Sequence, residues 1–220
     1  MGQWTELDTP HGRIGAWRAD AASPTGRAVV VIQEIFGVNA HIRDVVDRFA
    51  AAGLTALAPC VLDPVEPGVE LDYDEAGIAR GRALVAELGF ERAVDAVGAA
   101  AETLRRDGLA VGAVGFCWGG TVAFLANTRL GLPAVSYYGG RSVPFLDEPA
   151  RAPLLFHFGE RDPIIPPEHR ELHRRKQPQA EFHVYPAGHG FHCDRRGDFD
   201  PESAALAWTR TLEFFARHLR

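Results

Sequence analysis

Cysteine is scarce in this chain, and the scarcity settles several questions at once. Only Cys60, Cys117 and Cys193 occur among 220 residues. An odd number, widely spaced and without a Cys-x-x-Cys pair, points away from a disulfide framework and from zinc-binding spacings. Free thiols belong in a reducing compartment, so the expected location is cytoplasmic. Long apolar runs are missing too. None approaches the ~18 residues of a membrane span, and Met1 to Ala22, interrupted by Glu6, Asp8 and Asp20, has no signal-peptide core. A basic excess is also lacking: 23 Lys and Arg face 29 Asp and Glu, for a net charge of −6. That argues against nucleic acid or membrane as partner, although one or two local arginines can still bind an anionic small molecule. No repeat, low-complexity tract or linker breaks the sequence, so one domain over 1–220 is expected. No cofactor and no metal are called for.

What is present is an alternation of strands and helices. Trp4–Thr9 and Arg13–Arg18 flank Pro10-His11-Gly12 and read as an N-terminal β-hairpin. The β-branched run from Ala28 to Gln33 has no polar alternation, as in a strand buried on both faces. A helix over 41–52 follows, with Ile42, Val45, Val46 and Phe49 on one stripe, then Gly53 and a buried strand over 54–59. Residues 60–72, rich in Pro, Gly and acids, form an excursion. Helices are expected over 73–88 and 90–106, split by Gly89. A buried strand over 110–116 leads to a helix over 121–128. Strands over 134–138, 153–158 and 181–185 then enclose a helix over 166–176. The last helix starts with Asp200 as N-cap and Pro201 in its first turn, with Leu206, Leu212, Phe215 and Leu219 as its expected core face. This pattern predicts an α/β fold with a doubly wound, mostly parallel sheet.

The sharpest local signal is Gly115-Phe116-Cys117-Trp118-Gly119-Gly120, at the junction of a strand and a helix. Gly-x-Cys-x-Gly has the form of a nucleophile elbow with cysteine in place of serine. The turn is so tight that neighbouring backbone must pass without a Cβ. A helix start also favours negative charge, which activates a thiol. In such enzymes the acid and base follow the nucleophile in that order. Asp162, in Gly159-Glu160-Arg161-Asp162-Pro163 after a strand, is the preferred acid, with Glu160 as rival. His189, between Gly188 and Gly190, is the preferred base, with His192 as rival. His157 and His183 lie within strands and read as structural. An oxyanion hole needs two backbone donors: the amide of Trp118 is one candidate and that of Ile35 the other. Glu34 beside Ile35 is either a solvated acid or a functional one.

These four segments, including Gln33-Glu34-Ile35-Phe36-Gly37 and Gly188-His189-Gly190-Phe191, together resemble the dienelactone hydrolase family, the carboxymethylenebutenolidases. The resemblance runs over essentially the whole chain. It implies an α/β-hydrolase fold, a Cys117–His189–Asp162 triad, oxyanion amides at Ile35 and Trp118, and a Glu34 that contacts the thiol and helps it ionise. Phe36, with Arg80 or Arg82, becomes a candidate substrate contact, and a monomer is implied. The family pattern places a serine and a carboxylate-gripping arginine just after the histidine; here Gly190 and Cys193 stand there. The expected partner is a small ester or lactone, including carboxylate-bearing ones. The expected reaction opens an enol-lactone or cleaves an activated ester through a thioester. The rival readings are a general carboxylesterase or thioesterase, a thiol redox protein using Cys117, and a non-catalytic relic of the fold.

Overall fold

The computed structural model describes residues 1–220, with eight strands and five α-helices. The residues form two compact units, Met1–Gly112 with Arg220, and Ala113–Leu219.

In the first unit, β1 (Gln3–Thr9) and β2 (Gly12–Ala19) form the expected hairpin, with Thr9 opposite Gly12. Gly12 takes a φ of 109° at the turn, which glycine adopts without a Cβ penalty. β3 (Arg27–Ile32) and β4 (Thr55–Pro59) pair in parallel, and β2 adds antiparallel to β4, giving the order β1-β2-β4-β3. The crossover helix α1 (Ala40–Ala51) begins at Asn39, whose side chain accepts from the Ile42 amide at 3.2 Å. Such a cap contributes about 1 kcal/mol. The four apolar residues that marked this helix in the sequence are all buried. The excursion after β4 is tied down by Asp63, whose carboxylate accepts from the amides of Gly15 (2.7 Å) and Gly68 (3.0 Å). α2 (Glu75–Arg106) is capped by Asp74 and broken at Gly89, where φ 74° and ψ 166° depart from helix. The expected split is therefore real, although the first helix starts after Asp74 rather than at Tyr73.

β5 (Ala110–Phe116) leads into the second unit. There it is joined in parallel by β6 (Ala134–Tyr137), β7 (Leu154–Gly159) and β8 (Glu181–Tyr185), in that order. Helix α3 (Trp118–Leu130) starts three residues before the sequence expectation, directly on the nucleophile candidate. The short α4 (Pro167–Lys176) packs its buried His173 edge-on against Phe156 and Phe158. α5 (Pro201–His218) has Asp200 as N-cap, accepting from the Ser203 amide at 2.9 Å.

The buried face of α5 corrects the sequence reading. Phe215 and Leu219 are buried as expected, but Leu206 is 46% exposed and Leu212 is only half-buried. The packed stripe is Ser203, Ala204, Ala207, Thr211, Phe214 and Phe215. These residues share one face of a 3.6-residue period, and small side chains on it allow close backbone approach. Polar Thr211 is accepted there because its hydroxyl has buried partners.

Candidate active site

The site of the second unit is built on the turn between β5 and α3. Cys117 is the residue before the helix and takes φ 54° and ψ −119°, a conformation that costs a non-glycine residue about 1–3 kcal/mol. A Cβ on Gly115 would run into the carbonyl of Gly119, and one on Gly120 would lie 2.7 Å from the Tyr137 carbonyl oxygen. The glycines therefore let two backbones pass where side chains would separate them. The strained turn is anchored by the Cys117 amide, which donates to the Tyr137 carbonyl at 3.0 Å. Trp118, buried beside it, is the first residue of α3, so its amide lies in the first turn of the helix.

His189 reaches this thiol from the loop after β8. Its Nε2 lies 3.1 Å from Cys117 Sγ and its Nδ1 lies 2.7 Å from Asp162 Oδ2. The other Asp162 oxygen accepts from the Ile164 amide at 2.8 Å. Asp162 and His189 are both buried, whereas Cys117 is partly accessible. A carboxylate at Nδ1 keeps a proton on that nitrogen and leaves Nε2 to exchange one with sulfur. Burial works against a charged imidazole, but the facing Cys117 and Asp162 outweigh it and raise the His189 pKa to about 10.

Geometry separates each candidate from its rival. Glu160 is exposed, next to the buried Asp162 that holds the imidazole. His192 is buried elsewhere, stacked on Phe116 and Trp208 at 5.3 and 6.0 Å between ring centres. His157 is fully buried in a hydrogen-bonded cluster, and His183 is partly exposed on β8.

The loop carrying His189 is braced from behind. A Cβ on Gly188 would lie 3.1 Å from Asp198 Oδ1, and one on Gly190, at φ 79°, would lie 2.8 Å from Arg196 Nε. The two glycines flanking the imidazole thus admit a carboxylate and a guanidinium against the main chain. Cys193, at the position of the family arginine, is fully buried. The arginine near this loop is Arg196.

One neighbour of the imidazole escaped the sequence reading. Tyr138 was expected to end strand β6, yet it takes φ 40° and sets its ring edge-on to His189 at 5.2 Å. The sequence signal was Gly139-Gly140 directly after it, a stretch that permits the chain to turn sharply.

In the first unit, Glu34 is 1% exposed, so it is not a solvated acid. Ile35 is buried beneath Gly81, where a Cβ would lie 3.0 Å from its Cγ1. Phe36 is buried against Tyr73, with ring centres 4.5 Å apart. Arg80 is exposed and paired with Glu66, and Arg82 is exposed.

The sequence pattern of the dienelactone hydrolase family matches residues 14–219. This chain belongs to the dienelactone hydrolase family. It is similar to the carboxymethylenebutenolidase of Pseudomonas sp. strain P51, at 33% identity over 94% of this chain and 91% of that one. It is likewise similar to carboxymethylenebutenolidase 1 of Cupriavidus pinatubonensis, at 30% identity over 93% and 92%. A Klebsiella pneumoniae protein, solved under a provisional dienelactone hydrolase name, superposes with a TM-score of 0.87 at 28% identity, covering 99% of both chains. The fold is that of the α/β-hydrolases, and the chain is an enzyme of the carboxymethylenebutenolidase type, a hydrolase of lactones or esters. No helix of this family member is long and apolar enough to cross a membrane.

Proposed function

We propose that this dienelactone hydrolase family member opens an enol-lactone, or cleaves a similarly activated ester, through a covalent thioester on Cys117. The observation that carries the reading is the imidazole of His189, held between the Cys117 sulfur and the Asp162 carboxylate. The thiolate adds to the carbonyl carbon, and the developing oxyanion is met by the Trp118 amide at the start of α3. Collapse breaks the ring C–O bond and expels an enolate, which takes its proton from the His189 imidazolium. The neutral imidazole then removes a proton from water, the hydroxide attacks the thioester, and the carboxylic acid leaves as the thiolate is restored. Asp162 keeps the ring in the tautomer that both proton transfers require.

The preference for an activated substrate follows from sulfur chemistry. A thiolate leaves a tetrahedral intermediate more readily than an alkoxide does, so simple alkyl esters revert. An enolate or phenolate departs well enough to compete. In this reading Glu34 and the Ile35 amide take the roles that the family resemblance gives them, helping the thiol to ionise and supplying the second oxyanion donor. Phe36, Arg80 and Arg82 remain the candidate substrate contacts. Arg80 is paired with Glu66, so a substrate carboxylate would have to displace that partner to reach it. The three cysteines form no disulfide, which suits an enzyme of the cytoplasm, and the reading takes the enzyme as a monomer of one domain. The complete burial of Cys193 argues against its use as a resolving thiol in a redox role.

The deciding experiment is rapid quenching with a dienelactone, followed by mass spectrometry of the Cys117 peptide. A transient adduct of the acyl mass is expected. Full turnover by a Cys117→Ala variant would overturn the proposal. Equal rates on simple alkyl and aryl esters would favour a general esterase.

A further inference from the structure

A chain of hydrogen bonds runs through the second unit behind the elbow. Arg210 Nη1 lies 3.1 Å from the Tyr185 hydroxyl, and that hydroxyl lies 2.8 Å from His157 Nδ1. On the other side of the ring, His157 Nε2 lies 3.1 Å from Thr211 Oγ1, which is 2.6 Å from the Tyr137 hydroxyl. His157, Thr211 and Tyr137 are fully buried.

One assignment gives every bond the same direction. A guanidinium can only donate, so the Tyr185 oxygen accepts from Arg210, and in this assignment its own proton goes to His157 Nδ1. Burial, reinforced by the nearby His183, His192 and Arg210, holds the His157 pKa well below its ordinary value, so the ring carries one proton. With Nδ1 accepting, that proton sits on Nε2 and is donated to Thr211. In the same assignment Thr211 donates to Tyr137. Four bonds share one polarity, and Thr211 is the link between the imidazole and the phenol.

The two residues that Thr211 joins also hold the two strained points of the site. Cys117 and Tyr138 are the only non-glycine residues with positive φ, at 54° and 40°. The Cys117 amide donates to the Tyr137 carbonyl at 3.0 Å, and the Tyr138 amide donates to the His157 carbonyl at 2.8 Å. Strained backbone persists only where its surroundings over-determine it. Here each strained amide is tied to a carbonyl whose own side chain is gripped by Thr211. One of these amides belongs to the sulfur residue, and the other to the ring packed edge-on against His189.

We propose that Thr211 is a positioning residue for hydrolysis, clamping Tyr137 and His157 so that their carbonyls hold Cys117 and Tyr138 in their strained conformations. It touches neither substrate nor reacting atoms. The inference rests on the Cys117–His189–Asp162 reading of the site.

The test uses the full chain and four variants, assayed on an activated aryl ester. Thr211→Val keeps the shape and removes the hydroxyl; Thr211→Ser keeps the hydroxyl. The expected result is a kcat lowered about tenfold in the valine variant, from misplacement of the reacting pair, with KM little changed. Its pH profile for alkylation of Cys117 by iodoacetamide should shift, and serine should restore both readouts. A parental kcat and alkylation profile in Thr211→Val, or equal losses in valine and serine variants, would overturn the clamp. If the valine variant does not fold, Tyr137→Phe decides: a lowered kcat sustains the proposal and a parental kcat ends it. A Cys117→Ala control separates the two readings. Turnover by that control sinks the triad itself, whereas an inactive control beside a fully active Thr211→Val sinks only the clamp.

Discussion

Gly115 and Gly119 meet main chain to main chain at the elbow, with the Gly119 carbonyl standing where a Cβ of residue 115 would be. Gly115→Ala therefore has to push the first turn of α3 away from β5. The expected outcome is a loss of about 100-fold or more in kcat per folded molecule, together with a lower thermal midpoint. Active-site thiol titration alongside the rate measurement checks the first part, and scanning calorimetry the second.

Asp162→Asn tests the carboxylate without changing its size. An amide presents an N–H to His189 Nδ1, which places the ring proton on Nε2, facing the sulfur, so that Nε2 cannot take the thiol proton. A fall of about 10⁴ in kcat is expected, the loss known for such a change in serine triads. Circular dichroism should show the fold retained. A variant within tenfold of the parent would remove the acid from the mechanism.

The raised pKa of His189 makes a directional prediction. A group whose folded value lies above its unfolded one keeps its proton to higher pH. The stabilisation it contributes is complete below about pH 6.5 and is lost as the pH climbs through about 10. In the proposed mechanism the imidazolium protonates the leaving group, so the alkaline limb of kcat should fall in that upper window. NMR titration of the ring should follow the same midpoint in the resting enzyme. Replacing Cys117 by alanine removes one of the influences holding the value up, so the midpoint should move down.

Glu34→Gln preserves the volume of a fully buried side chain while removing its ability to carry charge. Lower turnover with an unchanged melting profile is expected, and substrate-dependent ionisation of Cys117, followed by thiolate absorbance, should weaken. Parental turnover and thiolate signal would dismiss Glu34.

At the start of α5, Asp200→Ala deletes the acceptor for the Ser203 amide. The expected cost is about 1 kcal/mol, read from urea denaturation at neutral pH. The Ser203 hydrogen bonds hold the Asp200 pKa below its ordinary 3.8. The cap is therefore worth most above that pH and fades as acid titrates through the lowered value, so parent and variant should converge in strong acid.

The parts of the site that sequence revealed are those where backbone geometry restricts the residue type. Gly115 is dictated by close main-chain approach, and Gly188 and Gly190 by side chains packed against their backbone; Asp162 and His189 sit in short loops just beyond strand ends, so motif and position agree. Apolar stripes marked α1 for the same reason, since its large side chains are its core. α5 hid its face because Ala204, Ala207 and Thr211 form the seam, and small or polar residues carry little periodic signal. Tyr138 was illegible on other grounds. A tyrosine at positive φ contradicts its own local preference, and only tertiary hydrogen bonding makes it stable. Arg196 was visible in the sequence, but its packing on Gly190 depends on how the loop folds back on itself.

That folded-back loop separates two design problems that usually coincide. Residues 196–198 press on the main chain to either side of the imidazole without belonging to the proposed Cys117–His189–Asp162 trio, through Arg196 and Asp198. A library confined to these positions would retune the reach of the base in small steps, leaving sulfur, ring and carboxylate intact. Engineers seeking new esters for this scaffold have an adjustable mount there, one that can be turned without dismantling the chemistry it carries.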